Sequence, residues 1–215
     1  MTDAIKEFIV DVFGNYSWLG ILVIAMIPLI ELRGAIPFAL GSAWGIHKLT
    51  WFEAYSSAVI GATIPALVII PLLIPIFEYL KKTKIFKKLV LRFEEKFTKN
   101  SQKIESQAEQ QNNKRKAELK KFLGVLTFVA IPIPLTGAWT GSAVAAYLKM
   151  PFWKGVFAIF LGNIISGAIM TMLCILFPSA VDIILYVFLG LVLLVVLSSI
   201  LMLMFKKKNT PATPN

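Results

Sequence analysis

Glu31 and Arg33 interrupt an apolar stretch that begins at residue 18. An ionised side chain at mid-bilayer costs roughly 2.5–3.5 kcal/mol even on mild insertion scales, so such residues face a cavity or a partner. The guanidinium is a planar fork of donors that fits phosphate or carboxylate at two points. Arg33 therefore reads as an anion-binding group, and Glu31 as a carboxylate that couples to protons or gates access. The plainer alternative is an ion pair or cap that braces the segment. Residues two apart on a regular helix do not face each other. Either the backbone is unwound here, which Gly34 and Pro37 permit, or each charge has its own partner.

A second interruption, Pro132-Ile133-Pro134-Leu135-Thr136-Gly137, follows about 100 residues later and carries no charge. Its prolines remove backbone donors and leave carbonyls without helical partners. Residues 137–141 then start a new half-helix, whose amides and positive dipole end suit an anion. The expected site combines Glu31, Arg33, Gly34 and Pro37 with Pro132, Pro134, Thr136, Gly137, Trp139 and Thr140; Ser142 adds a further polar edge. A kinked span with ordinary packing is the competing reading of this second segment.

Other reactive types are sparse. One histidine, His47, and one cysteine, Cys174, make no metal site, and no nucleophile–base pair is evident. No catalytic residue, metal or cofactor is expected, and a lipid phosphatase or transferase is disfavoured. Asn163 and Ser166 lie in an apolar run and suit interhelical hydrogen bonds. Trp18, Trp44, Trp51 and Trp153 fall near segment ends as interfacial belt residues. Glu53, Asp182 and His47 read as interfacial or solvated.

The elements that position these residues follow from hydropathy. The chain has 215 residues, 57% hydrophobic and 16% charged, against about 25% charged in soluble domains. This predicts a polytopic membrane protein. Residues 1–17 form an amphipathic helix with Ile5, Phe8, Ile9, Val12 and Phe13 on one face. The 13 apolar residues 18–30 reach only about 20 Å of a roughly 30 Å core. With the break and the run that continues to Ile46, they predict a re-entrant hairpin over 18–46. Residues 54–80 are a transmembrane helix with Pro65, Pro71 and Pro75. Residues 81–121 hold a basic amphipathic helix around 84–97 and a polar connector. A second hairpin over 122–148, transmembrane helices over 155–177 and 180–205, and a tail over 206–215 complete the chain. Asp3, Glu7 and Asp11 against Lys6 give the wrong charge for a cleavable signal.

The net charge of +10 gathers between Lys81 and Lys121 and at Lys206-Lys207-Lys208. That pattern marks cytoplasmic loops and contact with anionic inner-leaflet lipid, and no groove-reading motif makes it a nucleic-acid footprint. Both basic segments stay inside only if 122–148 enters and returns on one side. By the same logic the N-terminus lies outside. The halves then have opposite orientations. Gly41-Ser42-Ala43 recurs as Gly141-Ser142-Ala143, Trp51-Phe52 as Phe152-Trp153, and Gly61 as Gly162. The expected fold is an all-α integral membrane protein of the cytoplasmic membrane. It is an inverted repeat of re-entrant hairpin plus transmembrane helix, with one extra C-terminal helix.

Glu31-Leu32-Arg33-Gly34-Ala35-Ile36-Pro37, followed by Pro132-Ile133-Pro134-Leu135-Thr136-Gly137-Ala138-Trp139-Thr140-Gly141, resembles the small multidrug export protein family over residues 18–177. The arrangement is also similar to the wider DedA (SNARE-associated, VTT-type) group. That resemblance implies two opposed re-entrant hairpins and proton-linked movement of lipids such as polyprenyl-phosphate carriers. The uncharged second hairpin departs from the DedA pattern. Three functions follow as expectations. The first is a proton-linked transporter or flippase for an anionic amphiphile, with Arg33 on the headgroup. The second is a multidrug or cation exporter with Glu31 as the binding carboxylate. The third is a scaffold that transports nothing. The expected partners are membrane lipids and a small amphiphilic substrate, with self-association into a homo-oligomer left open.

Overall fold

The computed structural model describes residues 16–41, 49–81, 107–133 and 136–183, with further helical positions at 186, 187, 190, 193, 194, 197 and 198. The expected N-terminal amphipathic helix, the end of the first hairpin with Trp44 and His47, the basic helix at 84–97, Pro134 and the tail lie outside these residues.

Among the described residues every regular element is helical. Helix α1, Ser17–Met26, is apolar and stops at Ile27, whose backbone is extended (φ −69°, ψ 128°). Pro28 follows, and the residue before a proline is pushed out of the helical region. Leu29 (φ 72°) and Glu31 (φ 47°) then adopt left-handed backbone, a conformation that costs roughly 1–3 kcal/mol at non-glycine residues and persists where the surroundings enforce it. The chain turns within these residues into α2, Glu31–Leu40. α1 and α2 pack on each other, with Ile21, Ala25, Leu32, Ala35, Ile36 and Ala39 sharing one buried cluster.

Helix α3, Trp51–Lys81, has 31 residues and contains Pro65, Pro71 and Pro75. Its start is a reciprocal cap. The Thr50 amide donates to Glu53 Oε2 at 2.8 Å, and the Glu53 amide donates to Thr50 Oγ1 at 3.3 Å. Helix α4 runs Gln107–Ala130, so the apolar run expected from residue 122 continues a helix that begins inside the polar connector. Residues 115–121 of it are exposed, which suits their Lys, Arg and Glu content. Helix α5 is Ala138–Tyr147, and α6 is Phe152–Leu176 with 25 residues. A short 3₁₀ turn, Pro178–Ala180, follows. Within the described residues two helices, α3 over Trp51–Tyr79 and α6, are long and apolar enough to cross a membrane.

The packing is matched between the halves. α3 and α6 pack on each other. α1 lies on α3 as α4 lies on α6, and α2 reaches α6 as α5 reaches α3. Glycines set both close approaches. A Cβ at Gly61 would stand 2.2 Å from the Leu22 carbonyl oxygen, and one at Gly162 would stand 2.7 Å from Val129 Cβ. Where α3 meets α6, Asn163 Nδ2 donates to Thr63 Oγ1 at 2.9 Å and the Tyr55 hydroxyl donates to the Ile164 carbonyl at 3.2 Å. A net contribution of about 1 kcal/mol is typical of such a buried hydrogen bond.

Candidate functional site

The two breaks meet. At the end of α4 the Ile131 amide makes the last helical bond, to Thr127 O at 3.3 Å. Pro132 has no amide to donate. The Ile133 amide turns back on Ile131 O at 2.8 Å, so it does not serve Val129, four residues earlier. The Val129 carbonyl is left for a donor from elsewhere, and a buried carbonyl without one is costly.

Arg33 supplies that donor. It projects from the first turn of α2 and is 2% exposed, while Glu31 is 5% exposed. Arg33 Nη2 donates to Val129 O at 3.0 Å and lies 3.1 Å from Ile131 O and 3.2 Å from Thr136 Oγ1. The single Thr136 hydroxyl proton has two acceptors at 2.8 Å, Ile131 O and Ile133 O. Arg33 Nη1 donates to Glu31 Oε2 at 2.8 Å. The left-handed backbone of Glu31 lets a pair two residues apart meet. Arg33 thus has both a neighbouring partner and separate ones in the other half. Its cation also sits at the negative end of the α4 dipole, a favourable position.

Glu31 does the converse at α5. The Trp139 amide donates to Oε1 at 3.3 Å, and the Ala138 amide also bonds the carboxylate. Gly137, the residue preceding α5, offers no side-chain cap of its own. The carboxylate fills that role, as an Asp or Asn does locally in other helices. A Cβ on Gly137 would fall 1.4 Å from Glu31 Oε2 and 2.0 Å from Cδ, so any side chain here would push the carboxylate off the α5 amides. The Trp139 indole Nε1 donates to Met26 O at 3.1 Å, one of the carbonyls left open where α1 ends. Three helix ends are therefore closed by side chains from the opposite half.

The expected site residues distribute around this contact. Glu31, Arg33, Thr136, Gly137 and Trp139 come together. Gly34 and Pro37 are buried inside α2, because the break lies at residues 27–30 rather than at Gly34–Pro37. Thr140 Oγ1 donates to Gly137 O at 3.2 Å, and Ser142 Oγ donates to Ala138 O at 2.6 Å. Pro132 is half-buried at the end of α4. Sequence reasoning missed the main-chain members of the site, namely the carbonyls of Met26, Val129 and Ile131 and the amide of Ala138. The proline signal says that carbonyls go unpaired nearby without saying which.

Elsewhere, exposed charges of mid-α4 reach the end of α5 and the start of α6. Lys121 Nζ donates to Leu148 O at 2.9 Å, and Lys154 hydrogen-bonds Glu118. That hydrogen bond, and then the ammonium charge, hold the Glu118 carboxyl below its ordinary range. An open apolar groove of about 290 Å³, lined by Trp51, Tyr55, Thr171, Met172, Ile175 and Leu176 among others, lies between the start of α3 and the end of α6.

No curated protein and no solved structure matches the chain. A family-level sequence model described as "Putative small multi-drug export protein" matches residues 31–169. The match opens on Glu31, just after the first break, and runs through the second break and most of α6. A span that covers more than half of the 215 residues and includes every side chain of the contact settles the family: the chain belongs to the small multi-drug export protein family.

Proposed function

We propose that this chain is a multi-pass membrane transporter that exports small amphiphilic molecules, and that Glu31 and Arg33 form the latch that holds its two halves closed. One observation carries the reading. Two buried, opposite charges of the first half close helix ends of the second half across the meeting of two breaks. Discontinuous helices with ion-satisfying ends are how secondary transporters build a site that opens to alternate sides. The matched packing of α1–α2–α3 and α4–α5–α6 supports an inverted repeat of re-entrant hairpin plus spanning helix. The length and hydropathy of α3 and α6 support placement in a membrane.

Flipping of an anionic lipid remains as a second, dependent reading. It asks Arg33 to present its fork to a phosphate, whereas both Nη atoms are engaged by Glu31, Thr136 and carbonyls. The headgroup would have to replace those partners when the latch opens.

The test is transport of a lipophilic dye by proteoliposomes that contain wild type, Glu31→Gln or Arg33→Lys. The latch reading expects at least a tenfold loss in each variant. Rates equal to wild type in both variants would remove Glu31 and Arg33 from the mechanism.

A further inference from the structure

The contact between the halves contains two subsites side by side, and both are filled by side chains of the same protein. The first is a cage of three oxygens, Val129 O, Ile131 O and Thr136 Oγ1, within 3.0–3.2 Å of one guanidinium nitrogen. The second is the amide pair of Ala138 and Trp139 at the start of the ten-residue α5, against the bare Cα of Gly137. One favours a cation and the other an anion, and their occupants touch at 2.8 Å.

The guanidinium is an imperfect match. Arg33 Nε is buried and has no hydrogen-bond partner among the described residues. A buried donor left unpaired costs roughly 1–3 kcal/mol. A primary ammonium has three donors and no others, so it would fill a cage of three acceptors with none left over. The amide pair equally accepts a carboxylate or a phosphate. When the halves separate, both subsites lose their occupants, and a ligand with the same charges in the same order stabilises the open form.

We propose that Val129 O, Ile131 O and Thr136 Oγ1 together with the Ala138 and Trp139 amides form a zwitterion-binding site, for a primary ammonium beside a carboxylate or phosphate, and that Glu31–Arg33 occupies it as a tethered competitor. This rests on the export reading and names the headgroup of the exported amphiphile. A tethered occupant competes at high effective concentration, so its removal must tighten binding of the true ligand.

The experiment uses the full chain in nanodiscs of phosphatidylglycerol. Three amphiphiles of one short tail are titrated by calorimetry: an α-amino acid headgroup, an ammonium alone and a carboxylate alone. In Glu31→Gln/Arg33→Gln the zwitterion should bind at least tenfold tighter than in wild type, and each singly charged amphiphile should gain less. No gain, or an equal gain for all three, overturns the proposal. A measurement on wild type guards against a misfolded variant. Carbodiimide labelling of Glu31 should rise at least threefold with the zwitterion, and unchanged or reduced labelling overturns the proposal. If added phosphatidylethanolamine reproduces the rise, the ligand is a lipid headgroup; if the short amphiphile alone does so, it is a free molecule. Zwitterion binding without transport would remove the export reading and keep the site. Transport without zwitterion preference would remove the site alone.

Discussion

Gly137 lies so close to Glu31 that a methyl group on it would overlap the carboxylate, at 1.4 Å from Oε2. Gly137→Ala must therefore expel Glu31 from the start of α5. The loss combines overpacking, typically about 1–3 kcal/mol, with loss of a helix cap, about 0.5–2 kcal/mol. A stability deficit of roughly 2–4 kcal/mol is expected from chemical denaturation in detergent. An alanine variant as stable as wild type would mean that the carboxylate does not cap α5.

Glu31 and Arg33 should behave as a unit. Truncation of either one leaves the other buried without its opposite charge, a change that costs about 3–5 kcal/mol. In Glu31→Ala/Arg33→Ala no charge remains, so the double variant should lose less than the sum of the singles. A double-mutant cycle should give a coupling near the upper end of the usual range for contacting residues, about 2–3 kcal/mol. Additive losses would contradict the direct pair.

The two close helix approaches make a matched prediction. Gly61→Ala and Gly162→Ala each place a methyl group against the neighbouring helix and should destabilise by about 1–3 kcal/mol. Gly124, in α4, meets nothing within 4 Å, so Gly124→Ala should be neutral or stabilising by up to about 1 kcal/mol through helix propensity. Thermal unfolding of the three variants ranks them, and a Gly124→Ala loss equal to the others would break the packing account.

Much of this was legible in the sequence, for physical reasons that differ between residues. Charges in an apolar run stand out because burial is costly, so Glu31 and Arg33 mark the candidate site in the sequence itself. Gly61 and Gly162 were matched by spacing, and each proves to seat a long helix of one half against the first helix of that half. The position of the first break was less visible. Gly34 and Pro37 drew attention, yet α2 absorbs both, while Pro28 and two left-handed residues make the turn. The helical start of α4 at Gln107 was hidden because its first residues are polar and carry no apolar periodicity. The reciprocal Thr50–Glu53 cap is written in the sequence as Thr-x-x-Glu, and it starts α3 at Trp51 rather than at 54. Main-chain partners of Arg33 cannot be read from side-chain identity at all.

Glu118 gives a prediction in pH. Its carboxyl is held low by Lys154, so the stabilisation is complete above the ordinary carboxylate range and is lost as pH falls through the lowered value. The pair is exposed, so the effect on melting temperature should be small and should fade in salt. Glu118→Gln should abolish that salt-dependent part at pH values above the ordinary carboxylate range. A variant with the same salt response as wild type would show that the pair does not form in solution.

Under the proposed latch, the tips of the two halves must part for export. Met26 and Trp139 join them through an indole bond of 3.1 Å. Cysteines at both positions, in a Cys174→Ser background, can be joined by a short bifunctional methanethiosulfonate and released by reduction. Dye transport in proteoliposomes should fall at least tenfold on cross-linking and recover on reduction. Unchanged transport with the tips joined would contradict the latch.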